Sequence, residues 1–490
     1  MRSEKLQNKN ADIKEIGRVV SYFSGVASVK GLPNVFLHET LLDYSGNRVG
    51  LVVGFNKEMV EVIFFDDDAD TDKPLFRSRE IFSIPVSDRF LGRIVNGLGE
   101  PIDGKMEIKG EMTPVFVEAP SIIERDPVSD ILGTGIKVID TALPLGRGQR
   151  ELIIGDRKLG KSTIASDVVL NQKNSIPKVY CIYVLCGKKE SQLKELISLL
   201  KKNDAFKHVA VVAATARDSF ASQYLAPFVG CAVGEYFRDR KKDALVIYDD
   251  LSNHAKVYRD ISLLLKRVPS REAYPGDIFS LHAELLERSA KLSKKNGGGS
   301  LSALPIIETQ EGDITSFIPT NLISITDGQI YLDRGLYKRR FIPAVNVGLS
   351  VSRVGSQVQP SSLKSVTNGI RIALSQYKEF QKLTQLETTI SKEAANKIHR
   401  GELILELLKQ DKHINVTWEE QVILFYSVEA GFFDDVEKDQ WPRFEQLLLK
   451  IIKSKHKDIL ENIRYGKFEE EKKNVDDIVS NIKNEFFSEL

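Results

Sequence analysis

Leu152-Ile153-Ile154-Gly155-Asp156-Arg157-Lys158-Leu159-Gly160-Lys161-Ser162 decides the fold. An apolar triplet runs into eight residues that fit G-x-x-x-x-G-K-[ST] in full, and Thr163 to Leu170 continues as a helical pattern. A strand before and a helix after are the context that such a phosphate-binding loop requires. Glycines let the backbone turn its amides toward phosphate oxygens, and the new helix presents unpaired N–H groups and the positive end of its dipole. Lys161 adds a cation, and the Ser162 hydroxyl can ligate Mg²⁺. Gly155, Asp156, Arg157, Lys158, Leu159, Gly160, Lys161, Ser162 and Thr163 are therefore the expected nucleotide-binding residues, for ATP or ADP.

Around this loop, apolar strands alternate with helical patterns from residue 88 to 358: Val179–Val184, Val209–Val212 and Ala244–Tyr248. Unbroken apolar strands between helices predict an α/β domain, a parallel sheet covered on both faces. The strand ending at Tyr248 runs into Asp249-Asp250, and a carboxylate there can hold the water shell of Mg²⁺, so Asp249 joins Ser162 as a candidate metal residue. Hydrolysis also needs a group that orients or deprotonates the attacking water. After the strand at 179–184 the chain reads Gly187-Lys188-Lys189-Glu190. A cationic Lys188 cannot be that base, and Glu190 stands two residues further on.

The flanks differ in texture. Residues 1–15 are polar and read as a flexible N-terminus. Residues 16–87 carry short β-branched runs, among them Val19-Val20, Val35-Phe36-Leu37, Val49–Val53 and Val60–Phe64, and predict a small β-barrel or sandwich. Asp66-Asp67-Asp68 reads as a solvated turn. Residues 359–490 are helical and charged, with Phe444, Leu447, Leu448, Ile451 and Ile452 on one face of a helix. Three domains follow: barrel, P-loop domain (88–358) and C-terminal helical domain.

Composition narrows the partners. In 490 residues, Lys+Arg 69 against Asp+Glu 68 leave a charge of +1, which argues against a nucleic-acid partner. Three scattered cysteines, Cys181, Cys186 and Cys231, fit reduced core thiols rather than a disulfide framework. No apolar run is long enough to span a bilayer, and Met1–Lys5 opens no signal peptide.

Longer stretches carry a resemblance. Ile136–Asp140, Pro144–Arg157, Gly234–Asp239, Arg271–Asp277, Ala303–Gln310, Ile323–Gln329 and Val347–Ser356 resemble the alpha subunit of the F-type rotary ATP synthase, in a match running from about residue 16 to 460. The resemblance implies a RecA-like nucleotide domain between barrel and helical domain, and an alternating ring with beta-type catalytic subunits around a gamma-type shaft. It implies a subunit that binds Mg-ATP without cleaving it. Arg353 matches the arginine that reaches into the neighbouring beta site, and Ser324 lies in the stretch lining that interface. Lys188 and Gln410 match positions beside the nucleotide. The implied location is cytoplasmic, peripheral on the inner face of the cell membrane.

The sequence also departs from that pattern. Lys158, Leu159 and Ser162 replace Gln, Thr and Thr in the loop, Lys188 replaces a Gln that assists Mg²⁺, Ile342 replaces an Arg, and Lys412 replaces a second Gln. The helix that holds the peripheral stalk is expected to be largely absent. Two arrangements stay open for Lys188: with Lys158 toward the phosphates, or paired with Asp249. Either predicts a weak Mg²⁺ requirement, while lysines turned to solvent would not. Two functions stay open as well: an energy-coupling subunit working with a proton sector, or a subunit of a specialised F-type-like motor, as in mollicute gliding or transport, with its own stalk or motor-specific partners. A stand-alone P-loop ATPase is disfavoured by Lys188.

Overall fold

Six strands close into a barrel in the order β1-β2-β5-β4-β3-β6. They are β1 (Ile16–Phe23), β2 (Val26–Lys30), β3 (Glu39–Leu42), β4 (Arg48–Phe55), β5 (Val60–Phe64) and β6 (Leu75–Ile81). The structure is a computed structural model and describes residues 15–66, 72–384 and 392–488. The expected N-terminal segment 1–14 and the turn residues Asp67 and Asp68 lie outside the described residues. Inward-facing Val29, Leu41, Val52 and Val62 are fully buried and fill the barrel. Glu39, also buried, accepts from Arg77 Nε (3.0 Å), Arg77 Nη2 (2.9 Å) and the Arg79 amide (2.9 Å), which ties β3 to β6.

Val35-Phe36-Leu37, expected as a strand, is not one. Pro33 precedes it, the Val35 amide bonds Leu32 O at 3.4 Å, and His38 takes a φ of 65°. The segment turns, and pairing starts only at Glu39. Val35 is buried in the barrel core all the same. An apolar trio shows that a segment is buried, and a turn can bury it as well as a strand.

β7 (Ser83–Val86) and β9 (Glu111–Pro114) form a two-stranded sheet, while β8 (Ile94–Val95) joins the main one. That sheet adds β10 (Leu152–Asp156), β11 (Val179–Lys188), β12 (Val209–Thr215), β13 (Asp243–Asp249), β14 (Ser300–Thr309), β15 (Gly328–Leu332) and β16 (Val351–Ser352). The order is β16-β15-β10-β14-β13-β11-β12-β8, and every pair is parallel except β15 with β16. The helices between strands include α1 (Lys137–Ala142), α2 (Lys161–Asn171), α3 (Glu190–Lys202), α4 (Phe220–Arg238), α5 (Leu251–Leu264), α6 (Ile278–Glu287) and α7 (Phe317–Ile325). Alternate residues of each strand enter different cores. Ile153, Tyr183 and Leu185 pack on one face; Leu152, Ile154, Ile182 and Val184 pack on the other.

The first of these cores runs without a break into the C-terminal helices, where Trp441, Phe444, Leu448 and Ile452 are fully buried. Leu447 packs against them, so the helix Trp441–Lys455 buries the expected face. All three cysteines are buried thiols. Among the described residues no helix is long and apolar enough to cross a membrane.

Under α4 lie two buried imidazoles. His254 Nε2 donates to the Tyr224 carbonyl at 3.0 Å, which leaves Nδ1 to accept from His282 Nε2 at 3.2 Å. Burial pushes the His254 imidazolium down to about 4. Its unfolded value is near 6.5, so this stabilisation is complete above pH 6.5 and is lost as pH falls toward 4, about 3 kcal/mol in all. His254→Gln, which keeps a donor and an acceptor but does not titrate, should narrow the difference in urea midpoint between pH 7 and pH 4.5. An unchanged difference would reject His254 as a source of acid lability.

Candidate functional site

The loop after β10 turns sharply and opens α2. Gly160 sits at a φ of 100° and Lys158 at 66°, the left-handed region that glycine enters freely and lysine does not. The Lys161 ammonium is buried and donates to the carbonyls of Gly155 and Asp156, each at 2.7 Å. Burial pushes its pKa down, a shift that Glu308, Asp250 and Asp249 oppose and Lys188 reinforces. Asp156 Oδ1 accepts from Thr309 Oγ1 and from the Gly312 amide, both at 2.7 Å, and so ties the loop to the end of β14. Arg157 and Lys158 are exposed, Leu159 is buried, and Ser162 and Thr163 are half-buried at the start of α2.

Two clefts flank this loop and share Thr163 and Lys412. One, of ≈ 490 Å³, is lined by Ser162, Tyr183, Lys188 and Asp249; the other, of ≈ 360 Å³, by Lys158, Leu159, Ile342 and Gln410. In the first, Lys188 at the end of β11 lies 2.7 Å from Asp249 Oδ1 and 3.0 Å from Asp250 Oδ2. Burial acts to lower the Lys188 pKa, and the two carboxylates outweigh it and raise it. Tyr183 donates to Asp249 Oδ2 at 2.9 Å, and the Asn253 amide donates to Asp250 Oδ1 at 2.9 Å, capping α5. Asp249 Oδ1 and Asp250 Oδ2 thus have the ammonium as counter-charge, and Asp249 Oδ1, buried, accepts no hydrogen bond among the described residues. Of the two arrangements open for Lys188, the structure has the ion pair.

That pairing bears on Mg²⁺. Ser162 keeps a hydroxyl suited to the ion, but the acidic pair that would hold its water shell already has the Lys188 ammonium against it. The residues present do not make a complete Mg²⁺ site.

Gln410 lines the second cleft, yet its amide is committed to backbone. Oε1 accepts from the Lys137 amide at 2.8 Å and Nε2 donates to the Gly135 carbonyl at 2.7 Å, while its own N–H donates to Ile342 O at 2.8 Å. It braces the cleft wall. Asp167, which also lines this cleft, accepts from the His413 amide (3.1 Å) and lies 2.7 Å from His413 Nδ1. Neither Asp167, His413 nor Tyr183 stood out in sequence, because no motif links them. Glu308 is likewise visible only in the sheet: it sits level with Gly155 on the strand beside β10.

Arg353 and Ser324 are elsewhere. β15 runs parallel to β10 with Leu152 opposite Gln329, and β16 runs back against β15 with Gly328 opposite Ser352. Arg353 thus leaves the sheet level with the start of β10, its amide donating to Asp327 O at 2.8 Å. Five strand residues, roughly 16 Å, separate that level from Asp156. Its side chain is exposed, and among the described residues no hydrogen bond or ion pair engages its guanidinium. Ser324 is exposed near the end of α7, the helix that leads into the same edge, with Oγ donating to Asn321 O at 2.7 Å. Behind Arg353 lies Glu151, fully buried, with Gln149 Nε2 donating to it at 2.8 Å. Burial pushes this carboxyl well up; the Gln149 bond opposes that, Asp327 adds to it and Arg353 opposes it. A Cβ at Gly328 would come within 2.6 Å of the Glu151 carboxylate and 2.2 Å of Val351 O, so only glycine fits there.

Residues 135–352 match the ATP synthase alpha/beta family, nucleotide-binding domain, and residues 359–484 match the ATP synthase alpha/beta chain, C terminal domain. The chain is 45% identical to ATP synthase subunit alpha of Helicobacter acinonychis over 469 residues, 95% of this chain and 93% of that protein. It is also 45% identical to ATP synthase subunit alpha of Lawsonia intracellularis over 465 residues, 94% and 91% of the two. The chain belongs to the ATP synthase subunit alpha family. The barrel, the mostly parallel α/β domain and the C-terminal helices are the fold of that family.

The sequence directs attention to the end of β11. There Lys188 is a paired cation, and Glu190, at the start of α3, is exposed and lies 2.7 Å from Lys194. Neither residue is an unpaired carboxylate. The purified chain should therefore release phosphate from ATP no faster than its Lys161→Ala variant. Steady turnover that Lys161→Ala abolishes would show that another group, Glu308 first among them, serves as base.

Proposed function

We propose that this chain is the nucleotide-binding, non-catalytic alpha-type subunit of a rotary F-type ATPase head, and that it completes the catalytic site of a neighbouring beta-type subunit. The observation that carries this reading is the placement of Arg353. It is an exposed arginine whose guanidinium makes no hydrogen bond or ion pair among the described residues, at the end of the sheet opposite the chain's own phosphate loop. Such a group cannot reach a phosphate on its own P-loop, but it is free to reach one presented by another subunit.

In this reading Gly155–Thr163 and Lys161 hold the phosphates of ATP or ADP, Lys188 and Gln410 shape the pocket, and Ser324 lines the interface with Arg353. Ser162 keeps the hydroxyl of a metal site whose acidic half, Asp249, is engaged. The proposed domain limits, 16–87, 88–358 and 359–490, follow the same logic, since β8 at Ile94–Val95 already pairs with β12 in the main sheet. Partners would be beta-type subunits in an alternating ring and a gamma-type shaft, on the cytoplasmic side of the membrane. Identity of 45% over nearly the whole chain to proteins named ATP synthase favours energy coupling over the specialised motor and the stand-alone ATPase.

A guanidinium presents two fixed donors to equatorial phosphate oxygens, and such a finger contributes about 10³–10⁵ in rate. Arg353→Lys in the assembled complex should cut ATP hydrolysis steeply while the beta subunits still bind ATP and the subunit composition stays intact. Intact rings with near-normal turnover would overturn the assignment; loss of assembly would mark Arg353 as structural instead.

A further inference from the structure

We infer that the nucleotide site of this chain holds ATP or ADP without a divalent cation. The inference rests on the reading of the P-loop as a nucleotide site and concerns what that site no longer needs.

An acidic pair closes β13. Asp249 and Asp250 are almost fully buried, and two adjacent buried carboxylates demand a counter-charge. In a magnesium-dependent P-loop site the metal and its waters supply much of that charge. Here Lys188 supplies it. Its Nζ bridges the two carboxylates at 2.7 and 3.0 Å, with its side chain only 13% exposed. Tyr183 and the Asn253 amide take the remaining two oxygens. The cluster carries one net negative charge instead of two, and the Lys188 ammonium lies against Asp249 Oδ1, the one of these oxygens that is buried without a hydrogen bond among the described residues.

A divalent cation entering this cluster would meet the ammonium at close range. To admit it, Lys188 would have to leave two buried carboxylates and find solvent. The nucleotide keeps other counter-charges: Lys161 at the loop, Lys412 shared by both clefts, and Arg157 and Lys158 exposed beside them. The amides at the start of α2 act independently of any metal. A phosphate-binding loop with several cations and a pre-neutralised acidic pair can bind a nucleotide in its metal-free form.

Photolabelling the assembled complex with 2-azido-ATP, then resolving the subunits on a gel, reports the alpha and beta sites separately. With wild-type protein, nucleotide protected in alpha should leave at rates within about twofold in Mg²⁺ and in excess chelator, while release from beta accelerates sharply. Lys188→Gln removes the internal cation, and release from alpha should then become at least tenfold faster in chelator than in Mg²⁺. Lys188→Arg keeps the charge and should keep the resistance. If chelation empties wild-type alpha as fast as beta, the metal-free site is refuted while the nucleotide reading stands. If alpha never labels in either condition, and Lys161→Ala changes nothing, both are refuted. The wild-type comparison decides the matter even if a Lys188 variant fails to assemble.

Discussion

A parallel strand has two chemically different ends, and the organisation of this molecule depends on β10 being hydrogen-bonded in parallel on both sides. β14 and β15 hold it from Ile153 to Asp156 and from Leu152 to Gly155. The carboxyl end must then pass into a loop and a helix N-terminus, the place where an α/β sheet collects anions. The amino end passes into the edge where β15 begins and β16 returns. One set of backbone hydrogen bonds therefore puts the glycine-rich loop and the start of α2 at one pole and Arg353 at the other. On the proposed reading, a subunit so built serves one site of its own and one of a neighbour.

The same sheet explains why the pocket is altered without being dismantled. β11 and β13 are adjacent, with Leu185 opposite Asp249, so a long side chain at 188 is delivered to the acidic pair whatever its chemistry. A lysine in that place makes an ion pair that is well enclosed and multiply bonded, the condition under which a buried pair offsets its desolvation cost. Around it Gln410, Asp167 and His413 stitch the C-terminal domain to the P-loop domain, and the shared apolar core with Trp441 and Phe444 backs that seam.

Much of this could be read directly from the chain. The P-loop was legible because its chemistry sits on consecutive residues, and the sheet because strands buried on both faces are apolar throughout. The five-residue face at Phe444–Ile452 was legible because a helix repeats its contacts within a few residues. Val35-Phe36-Leu37 misled, since apolar content reports burial and Pro33 with His38 decides the turn. Gln410 was found as a pocket residue, but its commitment to Gly135 and Lys137 joins positions more than 270 apart in the chain. Glu308, Asp167 and Tyr183 gave no signal at all.

What the sequence determined by itself is therefore local and periodic: which segments are strands or helices, and which glycine-rich loop joins β10 to α2. These follow from backbone geometry and side-chain chemistry within a few residues. Tertiary structure alone decided which charges meet. Lys188 satisfies Asp249 and Asp250 only because β11 and β13 lie side by side. Arg353 leaves the sheet far from the loop after β10 only because β16 returns antiparallel at the start of β15. Electrostatic pairing falls off with distance in space and is blind to distance along the chain, so it is the fold that assigns each charge its partner.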